Sequence, residues 1–319
     1  MAGPAIMNLV HKTDSQNTAG SDPDRGVRTD IGGYRLNSLH LGADNADLPP
    51  VVFIHGASAS LLDPLYSFRT ALEGRARLLF IDRPGHGKSD RGPESLILPD
   101  GQAEAIAALM TARGIEKAIM VGHSYGGAVA AAMALNHPGR LLGTVFLSPA
   151  LYPWPGGIAW YYHAAGNPHL GSLFSRLIVP LAGRLSIGSA ARGVFAPNPM
   201  PDDYLHATRA HEAIEPTAFR HNAREICALL AWTERTHARY RTIKTPSVII
   251  TGAIDDVVSP DIHSGALARD LPSAELLRVE GLGHKPDYHA TDLVVAAIEK
   301  LAGQTRDLNT LKTEVEQRL

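Results

Sequence analysis

Short runs dominated by apolar residues recur along the chain at positions 51–54, 77–81, 117–121, 142–147, 247–251 and 275–279. Their length and their Val, Ile, Leu and Phe content are those of strands buried on both faces. Between them, residues 61–72, 99–110, 128–135, 261–270 and 290–302 read as helices, with Pro64 interrupting the first, Asp100 as the expected N-cap of the second and Gly114 as its stop. Ahead of the first run, residues 26–31 and 34–41 alternate and are separated by Gly32-Gly33, a hairpin signal. Strand-helix alternation of this kind predicts an α/β fold, a mostly parallel eight-stranded sheet with helices on both faces.

The alternation stops after Ser148-Pro149 and resumes at about residue 243. The intervening residues 152–242 are helical in composition, are broken by proline and glycine, and hold all three tryptophans, Trp154, Trp160 and Trp232. They are expected to form an inserted helical cap on a core made of residues 26–151 and 243–302. Residues 1–25 read as a polar, mobile leader with no signal-peptide pattern. The tail, 303–319, places Leu308, Leu311, Val315 and Leu319 at helical spacing, suited to docking on its own domain or to a contact in a homodimer.

Composition narrows the function classes. A length of 319 residues with 45% hydrophobic content supports one large core with an inserted lobe and argues against wholesale disorder. Thirty basic residues against 32 acidic ones leave a net charge of −2, which gives no footprint for a nucleic-acid partner. No run approaches the roughly 20 apolar residues of a membrane span. The single cysteine, Cys227, excludes an intrachain disulfide framework and fits a cytoplasmic setting.

The chemistry is concentrated at Gly122-His123-Ser124-Tyr125-Gly126, a G-x-S-x-G between a buried strand and a run of small helix formers. Such a turn tolerates only glycine two positions either side of the serine and thrusts the hydroxyl out beside a helix N-terminus. A serine needs an imidazole to take its proton, and the imidazole needs a carboxylate to fix its tautomer. Two later loops, both at strand C-terminal ends, offer these in the order carboxylate then histidine: Gly252-Ala253-Ile254-Asp255 and Gly281-Leu282-Gly283-His284.

With the His55-Gly56 loop and the D-x-x-G-x-G-x-S segment from Asp82 to Ser89, these motifs resemble those of the α/β-hydrolase fold, in its serine-nucleophile, esterase-like branch. The resemblance covers residues 26–302. It implies Ser124 as nucleophile, His284 as general base and then acid, Asp255 as the orienting carboxylate, and the backbone N–H groups of Ala57 and Tyr125 as the oxyanion hole. It argues against the relatives that place an aspartate at the nucleophile position.

Other residues have competing readings. Asp256 adjoins Asp255 and is the alternative acid, while the end of the strand before the cap, where some relatives carry the acid, holds Ser148-Pro149. His55 and His123 are expected to hydrogen-bond loops and His86 to be structural in its glycine-rich turn, and His289 is an outlying alternative to His284. The fifteen histidines show no H-E-x-x-H, and Gly85-His86-Gly87-Lys88-Ser89 lacks the spacer of a phosphate loop, so neither metal nor cofactor is expected. The expected activity is hydrolysis of a small-to-medium apolar carboxylic ester through an acyl-serine. Carbon–carbon bond hydrolysis, perhydrolase chemistry and a slow-turnover small-molecule sensor are the alternatives. Trp154 and Trp160, near the entry to the cap, are the expected pocket lining.

Overall fold

The computed structural model describes residues 26–42, 46–271 and 273–319; the expected leader, 1–25, lies outside them. Eight strands form one sheet: β1 (Val27–Asp30), β2 (Arg35–Leu41), β3 (Val51–Ile54), β4 (Leu78–Ile81), β5 (Ala118–His123), β6 (Leu141–Leu147), β7 (Ser247–Gly252) and β8 (Ala274–Val279). Their spatial order is β1-β2-β4-β3-β5-β6-β7-β8. The β1–β2 hairpin is antiparallel, β2 joins β4 antiparallel, and every pair from β4 to β8 is parallel.

Helices α1 (Leu62–Leu72), α2 (Pro99–Ala112) and α3 (Tyr125–Asn136) connect the first half of the sheet. Between β6 and β7 lies a wholly helical excursion: α4 (Trp160–Gly166), α5 (Gly171–Leu177), α6 (Val179–Phe195), α7 (Tyr204–Ala207) and α8 (Pro216–Thr236), with short 3₁₀ turns. Helices α9 (Ser264–Asp270), α10 (Pro286–His289), α11 (Thr291–Leu301) and α12 (Leu308–Arg318) complete the chain. The tail is thus a helix, with Leu308 and Val315 buried against the core formed by α11 and β8.

Because side chains alternate across a strand, each strand feeds two cores. On β3, Val52 and Ile54 join α2 and α3 on one face. Val51 and Phe53 join α1 and α11 on the other, where Phe53 stacks on Phe68 and Phe80. Helix α3 is buried from Tyr125 to Ala134, which its glycines and alanines permit by letting it lie close to the sheet.

Two local readings are refined. The N-cap of α2 is Leu98, held extended by the following Pro99, and not Asp100. Asp100 instead accepts hydrogen bonds from Asn136 Nδ2 and Trp232 Nε1. The D-x-x-G-x-G-x-S segment is a structural turn: Asp82 accepts from Leu61 N, Lys88 N and Asn37 Nδ2, and Ser89 Oγ donates back to the Asp82 carbonyl. A Cβ at Gly87 would lie 2.2 Å from the Asp82 carboxylate, so only glycine closes it.

Candidate active site

Strand β5 delivers Ser124 into the turn before α3 with φ 52° and ψ −115°, a conformation that costs a residue bearing a Cβ about 1–3 kcal/mol. The strain is held by backbone hydrogen bonds: Ser124 N donates to Leu147 O, and Gly127 N and Ala150 N donate to Ser124 O. The flanking glycines are required by close approach. A Cβ at Gly122 would meet Gly126 O at 2.4 Å, and one at Gly126 would meet Ile54 O at 2.3 Å.

The loops after β3, β7 and β8 converge on this turn. A Cβ at Gly56 would lie 3.3 Å from Ser124 Cβ, so the His55-Gly56-Ala57 loop runs directly beside the serine. The His123 and His284 rings are 4.8 Å apart, and His123 Nε2 donates to the His284 carbonyl at 2.9 Å. His284 Nδ1 donates to Asp255 Oδ2 at 2.7 Å, both residues buried. The other carboxylate oxygen, Oδ1, accepts from Val257 N and Val258 N. Burial alone would raise the Asp255 pKa, but the hydrogen bond from His284 and the two amides outweigh it and hold the group below its ordinary value. Asp256, the alternative acid, is exposed.

With Nδ1 engaged by Asp255, Nε2 is the ring nitrogen of His284 that remains. Tyr125 is the first residue of α3, so its N–H has no acceptor within the helix. Its ring is buried under the Arg83 guanidinium, 4.3 Å from the centroid, and its hydroxyl donates to Ile97 O.

The other singled-out residues take separate places. His55 Nδ1 donates to Gly56 O and its Nε2 accepts the Arg83 N–H, as expected of a loop-bracing histidine; burial, then the Arg83 charge, depresses its pKa. His86 lies 2.7 Å from Glu225 in a buried network with Arg83, and burial lowers its pKa to about 4. His289 packs against Phe195. Trp154 is half-buried, donates to Gly157 O and faces the His263 ring at 6.0 Å. Trp160 is 71% exposed, against Tyr161 and Phe174.

The residues of the excursion that reach the serine's surroundings are others. Asn222 of α8 bonds both Ser58 N and Ser58 Oγ, next to Ala57, and Asn198 Oδ1 accepts from Gly283 N, next to His284. A narrow cleft of about 20 Å³ opens between Ser58, Ser60 and Asp63 on one side and Tyr204, Thr208 and Glu212 on the other; Ser124 is not among its lining residues. Lys285, adjacent to His284, is buried in ion pairs with Asp63 at 2.9 Å and Asp287 at 3.0 Å, and Tyr204 and Tyr288 donate to the same Asp63. Burial opposes the Lys285 charge, but the two carboxylates prevail and raise its pKa. No sequence pattern pointed to Asn198, Asn222 or Lys285; each works through a partner far away in the chain.

Two buried groups, His86-His221-Glu225 and Asp63-His123-Asp287, have donor atoms spaced as metal ligands are. In each, a cation of the protein itself already sits on the carboxylates: Arg83 on Glu225, and Lys285 on Asp63 and Asp287. Their donor chemistry is that of closed ion-pair clusters.

Known proteins resemble this chain in sequence and in fold. A Pseudomonas putida protein named as the dihydrolipoyllysine-residue acetyltransferase component of an acetoin cleaving system is 26% identical over 276 residues, 84% of this chain and 66% of its own length. The chain therefore spans about two thirds of that relative. A protein of Caulobacter sp. strain K31 named RutD and assigned as a carbamate hydrolase is 30% identical over 239 residues, 72% of this chain and 81% of its own. Among solved structures, the enol-lactonase of Burkholderia xenovorans LB400 superposes with a TM-score of 0.68 at 18% identity, covering 87% of this chain and all of that one. The family described as alpha/beta hydrolase fold matches residues 49–286. With the sheet order, the strand-end loops and this match all in agreement, the chain belongs to the α/β hydrolase fold family.

Proposed function

We propose that the chain is a serine hydrolase that cleaves a small-to-medium apolar carboxylic ester through an acyl-serine intermediate. The observation that carries this reading is the buried 2.7 Å pair of His284 Nδ1 and Asp255 Oδ2, on two loops beside the strained Ser124 turn. Ser124 Oγ attacks the carbonyl carbon as His284 Nε2 takes its proton. Asp255, kept ionised, stabilises the imidazolium that forms. The N–H groups of Ala57 and Tyr125 donate to the oxyanion, each such donor being worth about 3 kcal/mol of barrier. His284 then protonates the leaving alkoxide, and activates the water that releases the acid and regenerates the serine.

Residues 152–242 act as a cap over this site in the same proposal, with Trp154, on the side of His263, as pocket lining. The assignment of one relative as a carbamate hydrolase supports attack on a carbonyl bonded to a heteroatom. A cytoplasmic setting belongs to the proposal too, on the strength of the single cysteine. Among the described residues no helix is long and apolar enough to cross a membrane.

The test is turnover on a panel of p-nitrophenyl esters and lactones, with fluorophosphonate labelling mapped by mass spectrometry. Label on Ser124, repeated turnovers, and a Ser124→Ala loss in kcat on the order of 10⁴- to 10⁶-fold are expected. Asp255→Asn should cost roughly 10⁴-fold. Full activity in Ser124→Ala would overturn the assignment, and a single slow burst would move the protein to the sensor reading.

A further inference from the structure

Helix α6 is 17 residues long, and only Val179 and Phe195, close to its two ends, are buried. Leu173 and Leu177 of α5, Ile178 at the junction, and Leu181 and Leu185 of α6 are all exposed, Leu181 at 71% and Leu185 at 83%. Trp160 lies against Phe174, so the apolar surface continues onto α4. From residue 152 to residue 201 the sequence holds Arg176, Arg184 and Arg192 and neither aspartate nor glutamate. All three arginines are exposed. Steps of 100° along α6 bring Leu181, Arg184, Leu185 and Arg192 onto one stripe, so the positive charge and the apolar side chains share a face.

An exposed apolar patch of this extent is a docking surface, and its charge says for what. A second copy of the chain, meeting this face about a two-fold axis, would set arginine against arginine. A bilayer rich in anionic phospholipid meets both demands. Leucine side chains and an indole enter the acyl boundary, while guanidinium groups lie at the level of the phosphates. We propose that the α5–α6 face, with Trp160 at its rim, binds an anionic phospholipid surface. The protein then lies on the membrane plane without crossing it.

The test uses the full-length protein and extruded vesicles, of phosphatidylcholine alone or with phosphatidylglycerol, read by co-sedimentation and by tryptophan emission. Binding to the phosphatidylglycerol vesicles, weakening as salt is added, with a blue-shifted emission that Trp160→Phe removes, is expected. Arg176→Gln/Arg184→Gln should lower the partition coefficient by about fivefold per arginine. Leu181→Ser/Leu185→Ser should lower it by about tenfold per leucine. Both variants should melt as the parent does, because the substituted side chains are in water. Protein left in the supernatant with anionic vesicles, or variants that bind as well as the parent, would overturn the proposal. Sedimentation equilibrium revealing a dimer that the leucine variant dissociates would assign the face to a second copy and overturn it equally.

Discussion

Helices α6 and α8 belong to the same excursion from the sheet, yet they are fastened in opposite ways. Helix α8 buries His221, Asn222, Ala223, Glu225, Leu229, Trp232, Thr233 and Thr236. Its Glu225 meets Arg83 with both side chains fully buried, and its Trp232 donates to Asp100 of α2. Helix α6 buries two residues and turns both of its leucines to water. Position in the chain therefore does not decide what belongs to the core; contacts do. One half of the excursion is built into the α/β core, and the other half rides on it.

Breaking the fixed half should have the largest effect. Glu225 is held ionised despite its burial because Arg83, then His86, favour the charge. Glu225→Gln leaves the Arg83 guanidinium buried without its anion, and should cost about 3–5 kcal/mol in urea unfolding at neutral pH. An effect below 1 kcal/mol would mean that α8 is not welded to the core through this pair.

A smaller effect is expected at the joint where the excursion leaves the sheet. His263 Nδ1 accepts the N–H groups of both Leu151 and Tyr152 at 3.0 Å, and burial lowers its pKa from 6.5 to about 4. The folded state thus favours the neutral ring. The stability this contributes is complete above pH 6.5 and is lost as pH falls from 6.5 through about 4. Between pH 7 and 4.5 that amounts to roughly 2–3 kcal/mol, and His263→Asn should remove that share of the acid sensitivity from the chemical-denaturation curves. Identical pH slopes in parent and variant would refute it.

The smallest effect belongs to the free half. Leu181→Ser should change unfolding free energy by no more than about 0.5 kcal/mol, since an exposed side chain loses little. A larger loss would show that α6 is packed in solution.

What the sequence made legible follows the same division. Strand runs, the G-x-S-x-G turn and the loops ending in Asp255 and His284 are local patterns, because each is a requirement of backbone geometry that neighbouring residues must satisfy. The pairing of Arg83 with Glu225, 142 positions apart, leaves no periodicity to read. Nor does the clasp of Lys285 on Asp63, 222 positions away. Asp100 looked like a cap because a carboxylate at a helix start usually is one, but Trp232 and Asn136 claim it from a distance. Position near the entry to the cap singles out Trp154 and Trp160 but carries no information on burial: Trp154 is half-buried and Trp160 exposed.

Asn198, just past the end of α6, donates to Gly281 O and accepts from Gly283 N, gripping the strand-end loop on either side of Leu282. A Cβ at Gly283 would strike Ala196 O at 2.1 Å, so the two segments touch backbone to backbone. The exposed helix α6 and the buried loop that carries His284 are consequently joined by one carboxamide and one backbone contact.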